Sequence, residues 1–419
     1  MTANLERTFN DPRAATAPAV LADRDEALAA VRKLAPSIAG RAEETESLRS
    51  VPAETIEELV DAGLFGLVTP HRWGGSELGF RALLEVQAEI ASACPSTGWV
   101  QGVLAGHTWL TALFPPEAQA EVFADPRALI ASLIRLGGTP PQRVPGGFRW
   151  QGGRGRFCSG IDHSHWVLVG GQVTEDDGKG EAWYFLIPRS EVEIIDDWHA
   201  VGLRGTGSKS IVVADSFIPG HRAVRFADLG TGRAPGTDLH GGASYRLPYD
   251  AVWPLSLSGA ALGAARGALA AFTTATRKRV GALPPVAQAG NGPALVRLAR
   301  AAAMVDAATS LLLADAAAVD EAPLGTTFDQ LEKARRARNL AFAVQQCREA
   351  VNHLFEASGG SAVFDSGPMQ RWWRDVNASA SHVAFTWDLA SAAYGRAAIG
   401  LSGPGQGGQA PGPRIAETK

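Results

Sequence analysis

The sequence predicts a chain in three parts: an N-terminal α-helical domain, a central antiparallel β domain and a C-terminal four-helix bundle. Two observations carry this reading. Apolar residues recur at helical spacing in both flanking regions, and between them short β-branched or aromatic runs alternate with Gly-rich turns. The 419 residues, 46% of them hydrophobic, suffice to fill cores in two or three domains.

Residues 1–24 are polar, acidic and Pro-containing. They form an N-terminal extension without the basic start and apolar run of a secretory signal. In residues 25–125, Leu28, Val31, Leu34 and Ile38, then Ile56, Leu59, Val60 and Leu64, mark helical faces. Gly63 reads as a helix C-cap, and a further helix spans residues 80–93. Residues 126–235 hold the strand-like runs Phe148-Arg149-Trp150, Trp166-Val167-Leu168-Val169, Trp183-Tyr184-Phe185-Leu186-Ile187, Val192-Glu193-Ile194-Ile195 and Ile211-Val212-Val213. No helical spacers separate them, which predicts antiparallel pairing, with a hairpin tip at Asp176-Asp177-Gly178-Lys179-Gly180. Residues 236–400 are Ala-rich, and four helical tracts at 260–275, 293–318, 327–357 and 368–399 predict a bundle. Gly259, Ala260, Ala264, Gly267 and Ala271 would let its helices approach closely. The Gly- and Pro-rich residues 401–419 read as a disordered tail.

A net charge of -4 gives no electrostatic footprint for nucleic acid or an anionic membrane. No apolar stretch reaches membrane-spanning length without a charge, Gly or Pro break. Cys94, Cys158 and Cys347 have no CxxC spacing and read as reduced core residues of a cytoplasmic protein. His163 and His165 have strand-chelate spacing but no acidic or Cys partner, so no metal site is expected. The adjacent Asp196 and Asp197 would point to opposite sides and read as a solvated turn.

Two distant segments carry chemistry. The stretch Trp198-His199-Ala200-Val201-Gly202-Leu203-Arg204-Gly205-Thr206-Gly207-Ser208 runs into the strand-like Ile211-Val212-Val213 and Phe217-Ile218-Pro219. It lacks the strand–turn–helix setting of a dinucleotide fold. Gly359-Gly360-Ser361-Ala362-Val363-Phe364 precedes Gln370-Arg371-Trp372-Trp373-Arg374-Asp375 and then His382. Together the segments resemble the acyl-CoA dehydrogenase superfamily, whose domain order also matches from about Asp25 to Ile399. The expected fold is therefore acyl-CoA dehydrogenase-like. Where many dehydrogenases keep a Glu base in a Glu-Gly-Thr segment, this chain has His382-Val383. That pattern resembles the oxygenase components of two-component (group D) flavin-dependent monooxygenases, of the 4-hydroxyphenylacetate 3-hydroxylase, steroid-phenol hydroxylase and dibenzothiophene monooxygenase type.

The resemblance implies a diffusible reduced FMN or FAD, delivered by a separate NAD(P)H:flavin reductase, with O2 as co-substrate. A C4a-hydroperoxyflavin would then mono-oxygenate a small organic substrate, most simply a phenol at its ortho carbon. It further implies a cytoplasmic homotetramer built as a dimer of dimers. In Phe157-Cys158-Ser159-Gly160, Ser159 would bond flavin N5, since a hydroxyl can donate or accept, and Trp166 would pack on the ring. His382 would face the peroxide. His107, in the segment from Ser96-Thr97-Gly98-Trp99 to Trp109, would meet the phenol, whose proton an imidazole can take or hold. Ser132 would face flavin or substrate, and Trp109, Arg204 and Ser208 would border the substrate pocket. Arg277, in Arg277-Lys278-Arg279-Val280-Gly281, would hold flavin phosphate across a subunit interface through its forked, permanent charge. Val280 stands where the family's motif has Phe. Gly359 and Gly360 would bring backbone amides to the flavin, with no Cβ in the way.

Each residue also has an ordinary reading: buried Trp and His as core, Gly202 to Ser208 as a tight turn, Arg277 as a solvated helix end. Three functions stay open. One is this oxygenase, including its N- or S-oxygenating variants. Another is an acyl-CoA dehydrogenase drawing a base from elsewhere in the bundle, such as Glu349 or Glu356. The third is a scaffold without flavin.

Overall fold

The computed structural model describes residues 16–174, 180–281 and 292–401. The N-terminal helices are α1 (Arg24–Gly40), α2 (Ala42–Leu48), α3 (Ala53–Asp61), α4 (Gly79–Ala93), α5 (Pro95–Thr111) and α6 (Pro116–Phe123). Asp23 caps α1 by accepting from Glu26 N–H. Just past α3, Gly63 takes φ +73°, the left-handed conformation expected of a helix stop. The chain before α1 is tied down. Leu21 is buried, its N–H bonds Ser76 Oγ at 2.8 Å, and Ala19 N–H bonds Asp61 O.

The β region runs from β1 (Ile130–Leu133) to β11 (Ala223–Arg225), with β5 (Gly153–Cys158), β6 (Trp166–Thr174), β7 (Gly180–Pro188) and β9 (Lys209–Val213) between. Three small sheets form, and their pairings are antiparallel with one departure: β1 runs parallel to β6, Ile130 opposite Trp166. The chain between them includes the long excursion through β5, which suffices for a crossover. Asp176 to Lys179, the expected hairpin tip, lie outside the described residues. The strands on either side pair continuously from Trp166↔Pro188 to Thr174↔Gly180.

After the short helices α7 (Phe226–Thr231) and α8 (Tyr249–Val252) come α9 (Leu255–Gly281), α10 (Gly292–Asp320), α11 (Gln330–Ala357), α12 (Met369–Ala380) and α13 (Trp387–Ala398). The last tract, expected as one helix over 368–399, is broken. A 3-10 turn, Val383–Phe385, separates α12 from α13, and His382 caps it with an extended backbone. The cause is local: His382 Nδ1 accepts from Ala384 N–H at 3.2 Å and so competes with the helical ladder. The tail residues 402–419 lie outside the described residues. The spans Tyr249–Gly281 and Gly292–Asp320 are long and apolar enough to cross a bilayer, but the apolar window of the first is 78% buried inside the protein.

Helix α5 is the axis of the molecule, and every one of its 17 residues is buried. Gly98, Gly102 and Gly106 recur every four residues and form one ridge against α4 and α9. A Cβ on Gly102 would fall 2.2 Å from Ser256 O, and one on Gly106 would fall 2.6 Å from Ser256 Oγ. On α9, a Cβ on Gly259 or Gly267 would strike Gln87 or Trp372, so the small residues read from the sequence do permit close helix contact. Gly102→Ala is therefore expected to lower stability by about 1–3 kcal/mol, the usual range for overpacking. Gly395→Ala, on α13 with open space around it, is expected to be neutral or stabilising by up to about 1 kcal/mol. Thermal unfolding of the two variants checks this, and equal effects would contradict it.

Candidate functional site

The site begins where β5 ends. A register shift interrupts β5–β9 pairing between Gly155 and Cys158, and Phe157 there takes φ +73°, costly for a bulky residue. This bulge turns the chain so that Ser159 reaches α5. Gly160 N–H then bonds Thr206 O at 2.9 Å, which locks the segment to the Gly202–Ser208 turn.

Four hydroxyl and indole groups meet here. Trp99 Nε1 donates to Ser159 Oγ at 3.1 Å. Ser159 Oγ lies 2.7 Å from Ser208 Oγ, and Ser208 Oγ lies 2.6 Å from Thr206 Oγ1. Thr206 Oγ1 donates to Leu203 O at 2.9 Å. The Trp99 indole also meets the His382 ring edge-on, with centroids 5.6 Å apart. Ser159, Ser208 and His382, which are distant in sequence, are thus brought together, with Trp99 as the hub.

The turn is held from the bundle side. Leu203 has φ +50°, and its N–H donates to Asp375 Oδ1 at 2.6 Å. Gly202 lies on the α12 backbone, where a Cβ would fall 2.2 Å from Arg374 O. Asp375 is buried and its Oδ2 has no partner among the described residues. Burial pushes its carboxyl up to about 7, with Glu46 adding to the effect, against Leu203 N–H and the two nearby arginines.

His107 lies two turns beyond Trp99 on α5. Its Nδ1 is 2.8 Å from Ile130 O, and a carbonyl can only accept, so Nδ1 carries the hydrogen. Nε2 is left as a bare acceptor, buried without a partner. Its ring stacks on Trp253 at 5.7 Å, and Trp253 Nε1, also buried, has no partner among the described residues. His382 is the reverse case: its Nδ1 accepts from Ala384 N–H, so the neutral ring carries its hydrogen on Nε2. Burial lowers both imidazoles to about 4, so both are neutral near pH 7. His382 remains partly open to solvent at its edge.

Other expected residues lie elsewhere. Trp166 does not reach Ser159; the Arg222 guanidinium covers its ring at 5.2 Å, and Trp99 supplies the indole at the serine instead. Ser132 sits on β1, two residues beyond the carbonyl that orients His107. Trp109 is core: fully buried, edge-on to Phe80, stacked on Tyr245 and bonded to Ser244 Oγ. Arg204 is exposed on its turn, and Arg277 is exposed near the end of α9 with no partner among the described residues. Gly359 takes φ +69°, which favours glycine, and among the described residues nothing lies within 4 Å of a Cβ built on Gly359 or Gly360. Neither carboxylate considered as a base joins the site: Glu356 is exposed and paired with Arg297, and Glu349 accepts from Gln345. His163 and His165 face different partners, Ser50 Oγ and Leu129 N–H.

Beside His382 a cavity of about 290 Å³ opens between α8, α9, α11 and α13. Val383, Ala384, Pro254, Leu255 and Leu340 give it apolar walls, and Asp315 and Arg336 a polar edge. Trp99, Trp253 and this cavity escaped sequence reading. For Trp99 the signal was present, since it lies in the Ser96-Thr97-Gly98-Trp99 run beside His107.

Comparison with known proteins bears on this geometry. Residues 22–126 match the acyl-CoA dehydrogenase N-terminal domain, and residues 255–387 match the acyl-CoA dehydrogenase C-terminal domain. The flavin-dependent monooxygenase oxygenase subunit HsaA of Mycobacterium tuberculosis is 37% identical over 384 residues, 90% of this chain and 96% of that protein. The FADH(2)-dependent resorcinol hydroxylase oxygenase component of a Rhizobium species is 35% identical, covering 95% of this chain and all of its own length. Among solved structures, 3-HSA hydroxylase from Rhodococcus superposes with a TM-score of 0.85 at 34% identity, over 91% of this chain and 98% of its own.

Asp375→Asn keeps an acceptor for Leu203 N–H but cannot ionise. The folded carboxyl titrates near 7, above its ordinary value of 3.8. Its contribution to stability is therefore full at low pH and is lost as pH rises from about 4 to 7. The variant should gain roughly 2–4 kcal/mol relative to the wild type between pH 5 and pH 8. Denaturant unfolding at both pH values tests it, and a pH-independent difference would refute it.

Proposed function

Because the chain belongs to the oxygenase components of flavin-dependent monooxygenases, which share the acyl-CoA dehydrogenase fold, we propose that it places one oxygen atom from O2 on a small phenol, ortho to the hydroxyl. Such components act on a small-molecule substrate and take reduced flavin from a separate reductase. The observation that carries the reading is the opposite polarity of two neutral imidazoles. Nε2 of His107 can only accept, and Nε2 of His382 can only donate.

The residues fit a flavin. Ser159 Oγ is held by Trp99 and Ser208, and the nearby Phe157 is exposed. The open space before Gly359 and Gly360 and the exposed Arg277 suit a phosphate-bearing tail, with Arg277 reaching a neighbouring subunit in a dimer of dimers. When bound, reduced FMN or FAD supplies the activation of dioxygen. Ser159 would meet N5, and the His382 N–H would hold oxygen at the reacting face. Val383 and Ala384 would offer apolar surface beside it.

His107 acts on the other reactant. Its lone pair accepts the phenol O–H, while Trp253 walls the ring. An imidazole titrating near 4 does not remove a phenolic proton at neutral pH. It holds that proton in a hydrogen bond, and the bond raises electron density on the ring.

His107→Ala should cut product formed per reduced flavin consumed by at least about tenfold, the scale of one lost bond to a buried group, with little change in flavin affinity. His382→Ala should shift the ratio of product to hydrogen peroxide toward peroxide even at saturating substrate. Coupling ratios equal to wild type in both variants would sink this reading.

A further inference from the structure

Ser159, Ser208 and Thr206 form a chain whose direction is fixed by its far end. Four close contacts link Trp99 Nε1, Ser159 Oγ, Ser208 Oγ, Thr206 Oγ1 and Leu203 O, at 3.1, 2.7, 2.6 and 2.9 Å. Each contact needs one hydrogen, and the four donors supply one each. Leu203 O, which also accepts from Trp198 Nε1 at 3.0 Å and from Thr206 N–H at 3.1 Å, has none to give, so in that contact Thr206 Oγ1 is the donor. Ser208 must then donate to Thr206, and Ser159 to Ser208. Trp99 can only donate, so its N–H points at Ser159. No second arrangement fills all four contacts. The groups are nearly all buried, so water does not relax the constraint.

Ser159 therefore has its only hydrogen committed inward and one lone pair occupied by Trp99. What remains for a ligand is a single lone pair. We propose that Thr206 is a positioning residue that, by donating to Leu203 O, fixes Ser159 as a hydrogen-bond acceptor and so makes the site select the reduced flavin over the oxidised one. Reduced flavin carries a hydrogen on N5, and oxidised flavin presents a bare lone pair there. To receive the oxidised form Ser159 would have to turn its hydrogen outward, leaving one of the contacts along the chain without a hydrogen. This inference rests on the reading that flavin N5 faces Ser159, and it assigns that selectivity to a residue which itself touches no flavin.

The test uses the full chain and FAD, oxidised in air or reduced with dithionite under anaerobic conditions, with dissociation constants measured for each form. In Thr206→Val, a near-isosteric change, the Ser208 hydrogen loses its acceptor and turns toward Ser159. The ratio of oxidised to reduced dissociation constants should fall on the order of tenfold. Thr206→Ser should restore it, because the hydroxyl returns. A ratio is used because general damage to the fold weakens both forms alike. Ser159→Ala separates the two levels of the argument. If it weakens binding of reduced FAD while Thr206→Val leaves the ratio unchanged, the directional chain is wrong and the flavin site stands. If Ser159→Ala leaves both dissociation constants unchanged, the site and the inference fall together.

Discussion

The burial of α5 is the constraint on which the rest of the structure depends. A helix with no exposed face must meet a neighbour on every side, and its glycine ridge sets how near those neighbours come. Trp99 and His107 ride on this helix about two turns apart. Both are buried, so the indole at Ser159 and the His107 imidazole are held within the packed core. The precision of the chemistry is thus settled by packing before any polar contact forms.

Backbone groups then determine what each side chain can offer. The Ile130 carbonyl sets the His107 hydrogen, the Ala384 amide sets that of His382, and the Leu203 carbonyl sets that of Thr206. In none of these cases is a carboxylate needed to orient the group. A charged partner would raise the imidazole pKa and bring a cation into the apolar cleft. Amides and carbonyls fix the tautomer and leave both rings neutral. Asp375 follows the same economy, since its buried carboxyl serves the turn through one backbone amide.

Much of the fold was legible because helical periodicity and Gly-punctuated strands differ in kind. Ser159, Ser208 and His382 were singled out because short motifs carry them: Phe157-Cys158-Ser159-Gly160, the Gly202–Ser208 turn, and the spacing from Arg374-Asp375. What escaped depended on contacts between distant residues. Trp166 and Trp99 both stand near Ser or Gly in sequence, and only the β5 bulge decides that Ser159 turns toward Trp99. Trp109 is two residues from His107, but a helix rotates it about 200° away, into the Phe80 and Tyr245 core. The break at His382 has no Pro or Gly to announce it. The parallel β1–β6 pair joins strands that a local pattern cannot match.

A fully buried central helix separates a tightly packed part of the molecule from the more open cavity beside it. Larger side chains at Gly98, Gly102 or Gly106 would collide with α4 or α9, so room for variation lies elsewhere. Val383 and Leu389 at the adjoining cavity are exposed and are freer of that restriction. Libraries seeking acceptance of bulkier or more polar rings should be confined to those walls, where a changed side chain alters the room's shape without disturbing the furniture that performs oxygen transfer.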